Sequence, residues 1–203
     1  MAKRPGSSNT LRLIGGRHGG RKLKFPEAKG LRPTADRTRE TLFNWLAPVI
    51  EGSHCLDLFA GSGALGFEAV SRGAAHVSMV EMAMPVFRQL QQNVDLLDEA
   101  QHIDLHHLTS RKWLEQVSQI KPDLKTGYQQ GQKFDVVFLD PPFKDNLLEE
   151  TLNEVFRLDL ISPSGFVYVE RDIKQEMPGL PENCSVVRDK TAGQVAFSLI
   201  ECH

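Results

Sequence analysis

The strongest limit on how this chain can fold comes from short apolar runs that alternate with helix-length stretches. From residue 54 onward the runs recur at His54–Phe59, His76–Glu81, Ile103–His107, Phe134–Leu139 and Gly165–Glu170. Neighbouring strands joined through a helix must lie parallel, because an antiparallel pair needs only a tight turn. Two further runs, Ser185–Val187 and Val195–Ile200, are separated only by Arg188–Gly193, too little for a crossover helix, so they are expected to pair antiparallel. The pattern predicts an α/β fold with about seven strands in one sheet, helices on both faces and a C-terminal antiparallel hairpin. Residues 121–133 (KPDLKTGYQQGQK) read as a loop ahead of the fourth run.

Charge divides the chain into two parts. Residues 1–39 hold eleven Lys and Arg against two acids, a balance of +9, while the remainder carries 13 basic and 24 acidic residues, a balance of −11. Leu11–Phe25 (LRLIGGRHGGRKLKF) places two short runs around a glycine-rich turn, as in a hairpin. Residues 1–35 are therefore expected to form a basic polyanion-binding arm on a body spanning 36–203. Leu42, Phe43, Trp45 and Leu46 share one side of a helix predicted over Asp36–Ala47, with Thr34 or Asp36 as N-cap, which docks the arm.

Composition excludes several classes. With 40% hydrophobic and 25% charged residues in 203, the chain is expected to be one soluble globular protein. No apolar run approaches the roughly 20 residues of a membrane span. The basic N-terminus lacks the apolar core of a secretory signal. Cys55, Cys184 and Cys202 are odd in number and lack metal-ligand spacing, which argues against a disulfide framework and a zinc site and for a reducing cytoplasm. His102, His106 and His107 are given structural or surface roles, so no metal is expected.

Leu56–Gly66 (LDLFAGSGALG) runs from a strand into Gly-x-Gly-x-x-Gly and on into a helix. Glycines suit a sharp turn where a ligand approaches the backbone beside helix N-terminal amides. The pattern also matches a dinucleotide fingerprint, but Phe67 and Glu68 follow it where a P-loop needs Lys and Ser/Thr. Asp57, at the strand end, would repel a pyrophosphate yet can hold an ammonium; Glu81 ends the next run, where a carboxylate can accept from both ribose hydroxyls. A ligand with ribose and ammonium but no phosphate is S-adenosylmethionine. Either acid can also be an ordinary capping or surface residue.

The fourth run leads straight into Asp140-Pro141-Pro142-Phe143. Ligands of open α/β sheets lie beyond the C-terminal strand ends, which places this bend at the same crevice. An exocyclic nucleobase amine is a poor nucleophile because its lone pair is delocalised. The Asp140 carboxylate and Pro141 carbonyl can accept its two N–H groups and turn the lone pair toward a methyl donor, while Phe143 offers a stacking face. Guanine N2, adenine N6 and cytosine N4 all fit this chemistry. A nicotinamide-dependent oxidoreductase and a non-catalytic RNA-binding factor are the competing readings.

These residues resemble an amino-methylating methyltransferase. Arg12–Gly16, Gly20–Leu23, Gly30–Arg37, Arg39–Asn44 and Ala192–Ala196 resemble, more closely, the bacterial RsmD family over about residues 11–200. The resemblance implies a seven-stranded Rossmann-like fold, S-adenosylmethionine as donor and the N2 of guanine 966 in 16S ribosomal RNA of the small subunit as acceptor. A cytoplasmic monomer with neither metal nor membrane is expected. The implied catalytic residues are Asp140, Pro141, Pro142 and Phe143, and the implied cofactor contacts are Asp57, Phe59, Ala60, Gly61, Ser62, Gly63, Glu81, Met82, Thr109 and Ser110. Many relatives place Asp or Asn after the third run to contact adenine; here Leu108-Thr109-Ser110 offers hydroxyls instead. RNA is expected to meet Arg12, Arg17, Arg21, Lys22, Lys24, Arg32 and Arg37.

Overall fold

The computed structural model describes residues 8–27, 35–119, 132–143 and 147–203. β1 (Ser8–Arg12) and β2 (Lys22–Pro26) form a separate antiparallel hairpin. The body then alternates: α1 (Asp36–Trp45), β3 (His54–Asp57), α2 (Ala64–Ser71), β4 (His76–Val80), α3 (Met84–Leu97), β5 (Ile103–His106), α4 (Ser110–Ser118), β6 (Phe134–Leu139) and α5 (Leu147–Arg157). β7 (Ile161–Asp172), β8 (Cys184–Ala192) and β9 (Val195–Cys202) complete one seven-stranded sheet of order β5-β4-β3-β6-β7-β9-β8. β3, β4, β5, β6 and β7 pair in parallel, and β9 runs antiparallel to both β7 and β8. This is the expected α/β sheet with its C-terminal hairpin.

The strands are apolar on both sides because helices cover both faces. Cys55, Val77, Met79, Phe138, Tyr168 and Phe197 pack in one buried cluster with Leu42 and Phe43 of α1, Phe67 of α2 and Leu90 of α3. Leu56, Val80, Val137, Leu139, Val167 and Val169 pack on the opposite face with Trp113 of α4 and Leu152 of α5. The chain steps outward from β3 through β4 to β5, then returns to the other side of β3 for β6. That reversal opens a crevice at the C-terminal ends of β3, β4 and β6.

The hairpin shares the core. Leu11, Leu13, Leu23 and Phe25 join the cluster on the α1–α3 face, while Arg12, Lys22 and Lys24 alternate outward. Polar ties hold its turn. Glu68 of α2, 0% exposed, accepts from the amides of Ile14 (2.8 Å) and Gly15 (2.9 Å) and from Arg72 Nε (2.7 Å). Arg39 of α1, also fully buried, lies 3.8 Å from Glu68 and donates to the Arg12 carbonyl at 2.9 Å. Glu99 pairs with Arg17 and His18, and Asn93 donates to the Lys24 carbonyl. Gly16, at φ +73°, presses so closely on α2 that a Cβ would lie 1.8 Å from the Ser71 carbonyl oxygen.

Three expectations change. β8 continues through Arg188, Asp189 and Lys190 to Ala192, a stretch read as connection; charged residues are compatible with an edge strand, whose outer backbone faces water. The N-cap of α1 is Ala35, without a side-chain cap bond, while Thr34 lies outside the described residues. Cys184 and Cys202 are joined as a disulfide, because the β8–β9 register sets them directly opposite each other; Cys55 is free and buried. Arg32 and residues 121–131 lie outside the described residues. No helix among the described residues is long and apolar enough to cross a membrane.

Candidate functional site

Three carboxylates stand at the C-terminal ends of adjacent strands. Asp57 is the last residue of β3 and pairs with Phe138, two residues before Asp140 at the end of β6. Glu81 follows β4 on the other side of β3. Between β3 and α2 the chain turns through Gly61 (φ +52°) and Gly63 (φ +80°). A side chain at Gly63 is excluded twice, by that dihedral and because a Cβ would come within 2.3 Å of the Phe67 ring. Glu81 splints the turn, accepting from the Gly61 amide at 3.0 Å and the Ala83 amide at 2.6 Å.

Asp57 is 1% exposed. Burial pushes its carboxyl up to about 7, backbone donation from Phe59 and Gly66 pulls the other way, and the Glu81 charge adds to the rise. A desolvated acid of this kind is relieved by a cation. Glu81, part-exposed, uses two of a carboxylate's roughly four acceptor positions on the amides. The pair fits an ammonium and a diol, so these residues suit the amino-acid and ribose ends of S-adenosylmethionine. Phe59 is half-buried, Ala60 and Ser62 are buried in the turn, and Met82 is 66% exposed beside Glu81. Thr109 caps α4, its hydroxyl accepting from the Lys112 amide at 3.1 Å, and Ser110 starts that helix.

Asp140, Pro141, Pro142 and Phe143 extend β6 into the crevice mouth, with Pro141 buried and Phe143 38% exposed. Sequence reading missed what stands beside them. β6 and β7 place Leu139 level with Val169, so the next residues, Asp140 and Glu170, are also level. The Tyr168 hydroxyl donates to Glu170 Oε1 at 2.7 Å. Burial, then the Glu170 charge and hydrogen bond, then the Asp140 charge hold the Tyr168 phenol well above its ordinary range. Glu170 closes the fifth apolar run, and that acidic ending was the available signal. Glu68 and Arg39 carried no comparable signal, since each reads as an ordinary charged helix residue, and Glu99 reads as an ordinary acid just past α3.

The outer hairpin face aligns Arg12 directly opposite Lys22, with Lys24 two residues further on. Like charges set across a strand pair are destabilising, so this pairing does not serve the stability of the hairpin. Arg37 is exposed on α1, the Arg21 guanidinium reaches the Leu96 carbonyl at 3.3 Å, and Arg17 is half-exposed while paired with Glu99.

Residues 11–201 match the family described as "Conserved hypothetical protein 95". "Ribosomal RNA small subunit methyltransferase D" of Escherichia coli (strain K12) is 43% identical over 201 residues, covering 98% of this chain and 94% of that protein. The Haemophilus influenzae protein of the same name is 40% identical, covering 97% and 96%. Among solved structures, the E. coli protein yhhF superimposes with a TM-score of 0.82 at 40% identity, covering 96% of this chain and 98% of that one. SMU.776, described as a putative methyltransferase complexed with SAH, shares the fold alone, with a TM-score of 0.68 at 12% identity, covering 99% of this chain and 57% of that one. The sheet is thus the seven-stranded Rossmann-like sheet of the methyltransferases. With its family match spanning nearly every described element and its relatives aligned end to end, the chain belongs to the RsmD family.

Proposed function

We propose that this protein transfers a methyl group from S-adenosylmethionine to the exocyclic N2 of a guanine in 16S ribosomal RNA. The observation that carries the reading is the alignment of Glu81, Asp57 and Asp140 on three neighbouring strand ends at the sheet's reversal. The names of the E. coli and H. influenzae relatives support a ribosomal RNA acceptor. When bound, the donor supplies an electrophilic methyl whose C–S bond breaks as the new C–N bond forms. Asp57 receives the donor's ammonium and Glu81 its ribose hydroxyls. Gly61 and Gly63 bring the backbone close, Phe59, Ala60, Ser62 and Met82 line the turn, and Thr109 and Ser110 stand toward the adenine end.

Asp140 and the Pro141 carbonyl accept the two amine hydrogens, aligning the nitrogen for in-line attack. The two prolines keep the bend stiff, and Phe143 stacks on the base. The proton lost from the methylated amine leaves to water, so no strong base is needed. A target stacked in RNA must first be extruded. Arg12, Lys22, Lys24 and Arg37 hold phosphates, and the hairpin acts as the RNA-gripping part while residues 36–203 carry the chemistry. The test is labelled methyl transfer to small subunits lacking the modification, followed by nucleoside analysis. N2-methylguanosine is expected; label in another nucleoside, or none, refutes the reading.

A further inference from the structure

We propose that Glu170 reads the ring N1–H of the target guanine and thereby makes this crevice selective for guanine over adenine and cytosine. The inference rests on the guanine-N2 reading above. The three bases differ beside the amine. In guanine the neighbouring ring nitrogen on the Watson–Crick edge carries a hydrogen; in adenine and cytosine it carries a lone pair. Guanine therefore shows two adjacent donors, and the others show a donor beside an acceptor.

The sheet presents the complement of adjacent donors. Asp140 and Glu170 follow Leu139 and Val169, which are level on parallel β6 and β7. Each lies two residues beyond an aromatic of one core cluster, Phe138 and Tyr168 respectively, so strand alternation aims both toward the same face. One phenol, that of Tyr168, senses both negative charges. Its hydroxyl, 2.7 Å from Glu170 Oε1, fixes the orientation of that carboxylate. Glu170 is only 5% exposed, so an arriving lone pair is poorly screened there. An adenine or cytosine edge would set its lone pair against that carboxylate, while the N1–H of guanine supplies a donor.

The test compares small subunits reconstituted with 16S ribosomal RNA bearing either guanine or 2-aminopurine at the target. 2-Aminopurine keeps the amine but has a lone pair at N1. Wild-type enzyme is expected to prefer guanine by a factor on the order of 10² or more in kcat/KM, since a site built to accept a hydrogen penalises the analogue lacking it. In Glu170→Gln the amide can donate to that lone pair. The preference is expected to fall at least about tenfold, with S-adenosylhomocysteine affinity within about threefold of wild type. Equal losses on both substrates would assign Glu170 a purely structural role and overturn the proposal. A wild-type preference below about threefold overturns it whether or not the variant folds, while leaving the guanine-N2 reading intact. Failure of wild type on the guanine subunits overturns that reading and this inference with it.

Discussion

Replacing Asp57 with Asn tests whether the crevice holds a desolvated acid at a cost to the fold. Asp57 lies 1% exposed at the end of β3, and its carboxyl sits at about 7 instead of 3.8. At 1.36 kcal/mol per factor of ten, that displacement corresponds to roughly 4 kcal/mol. The unfolded carboxyl releases its proton near 3.8 and the folded one near 7. Between those values the folded chain holds the extra proton, so stability falls as pH rises, and above about 7 the loss is complete. The substituted amide does not titrate, and the remaining groups are common to both chains. The stability of Asp57→Asn relative to wild type should therefore rise by about 3 kcal/mol between pH 5 and pH 8. With a slope near 2 kcal/mol per molar urea, the urea midpoints should diverge by about 1.5 M. Equilibrium urea unfolding at the two pH values, in the absence of ligand, measures this. Affinity for S-adenosylmethionine should fall in the same variant by a factor on the order of 10 to 10², the loss of one charge-assisted contact. A relative stability that stays constant or falls with pH would refute the reasoning.

Glu68→Gln leaves Arg39 and Arg72 without their buried carboxylate and should destabilise the chain by about 3 to 5 kcal/mol in urea unfolding, with faster tryptic cleavage at the hairpin. A loss below about 1 kcal/mol would remove Glu68 as the tie between arm and body. Asp140→Ala should leave S-adenosylhomocysteine affinity within about threefold while turnover falls by a factor on the order of 10² or more; equal loss of both would move Asp140 out of the amine-accepting role. Changing Arg12, Lys22 and Lys24 together to Ala should flatten the log–log salt dependence of RNA affinity by about 2 to 2.7, at 0.7 to 0.9 per phosphate contact. An unchanged slope would take the outer hairpin face out of the RNA contact.

The parallel strands were legible because both of their faces are buried, leaving uninterrupted apolar runs such as Phe134–Leu139. The hairpin was legible from Leu11 and Leu23 alternating with Arg12 and Lys22 around glycines. The later half of β8, from Arg188 to Ala192, was hidden by the charges it carries as a sheet edge, and the Cys184–Cys202 pairing depends on a register that spacing does not encode. Asp57, Gly61, Glu81 and Asp140 stood out because each lies at or just beyond a strand end, where sequence order approximates spatial order. Glu170 occupies the same kind of position, yet its meaning depends on β7 lying beside β6, a long-range fact. Glu68 and Arg39 are harder still, since only the hairpin's return onto α2 turns two helix-surface charges into an interior network.

Those internal ties have a mechanical consequence. Among the described residues, Glu68, Ser71, Asn93 and Glu99 each grip a different point of the hairpin, so it is tied to the body at four places. Its cationic side is thereby kept at a constant separation from the strand tips, as the jaws of a fixed gauge are. If RNA is gripped on that side as proposed, the distance from the point of grip to the crevice is set by the protein and not by the substrate.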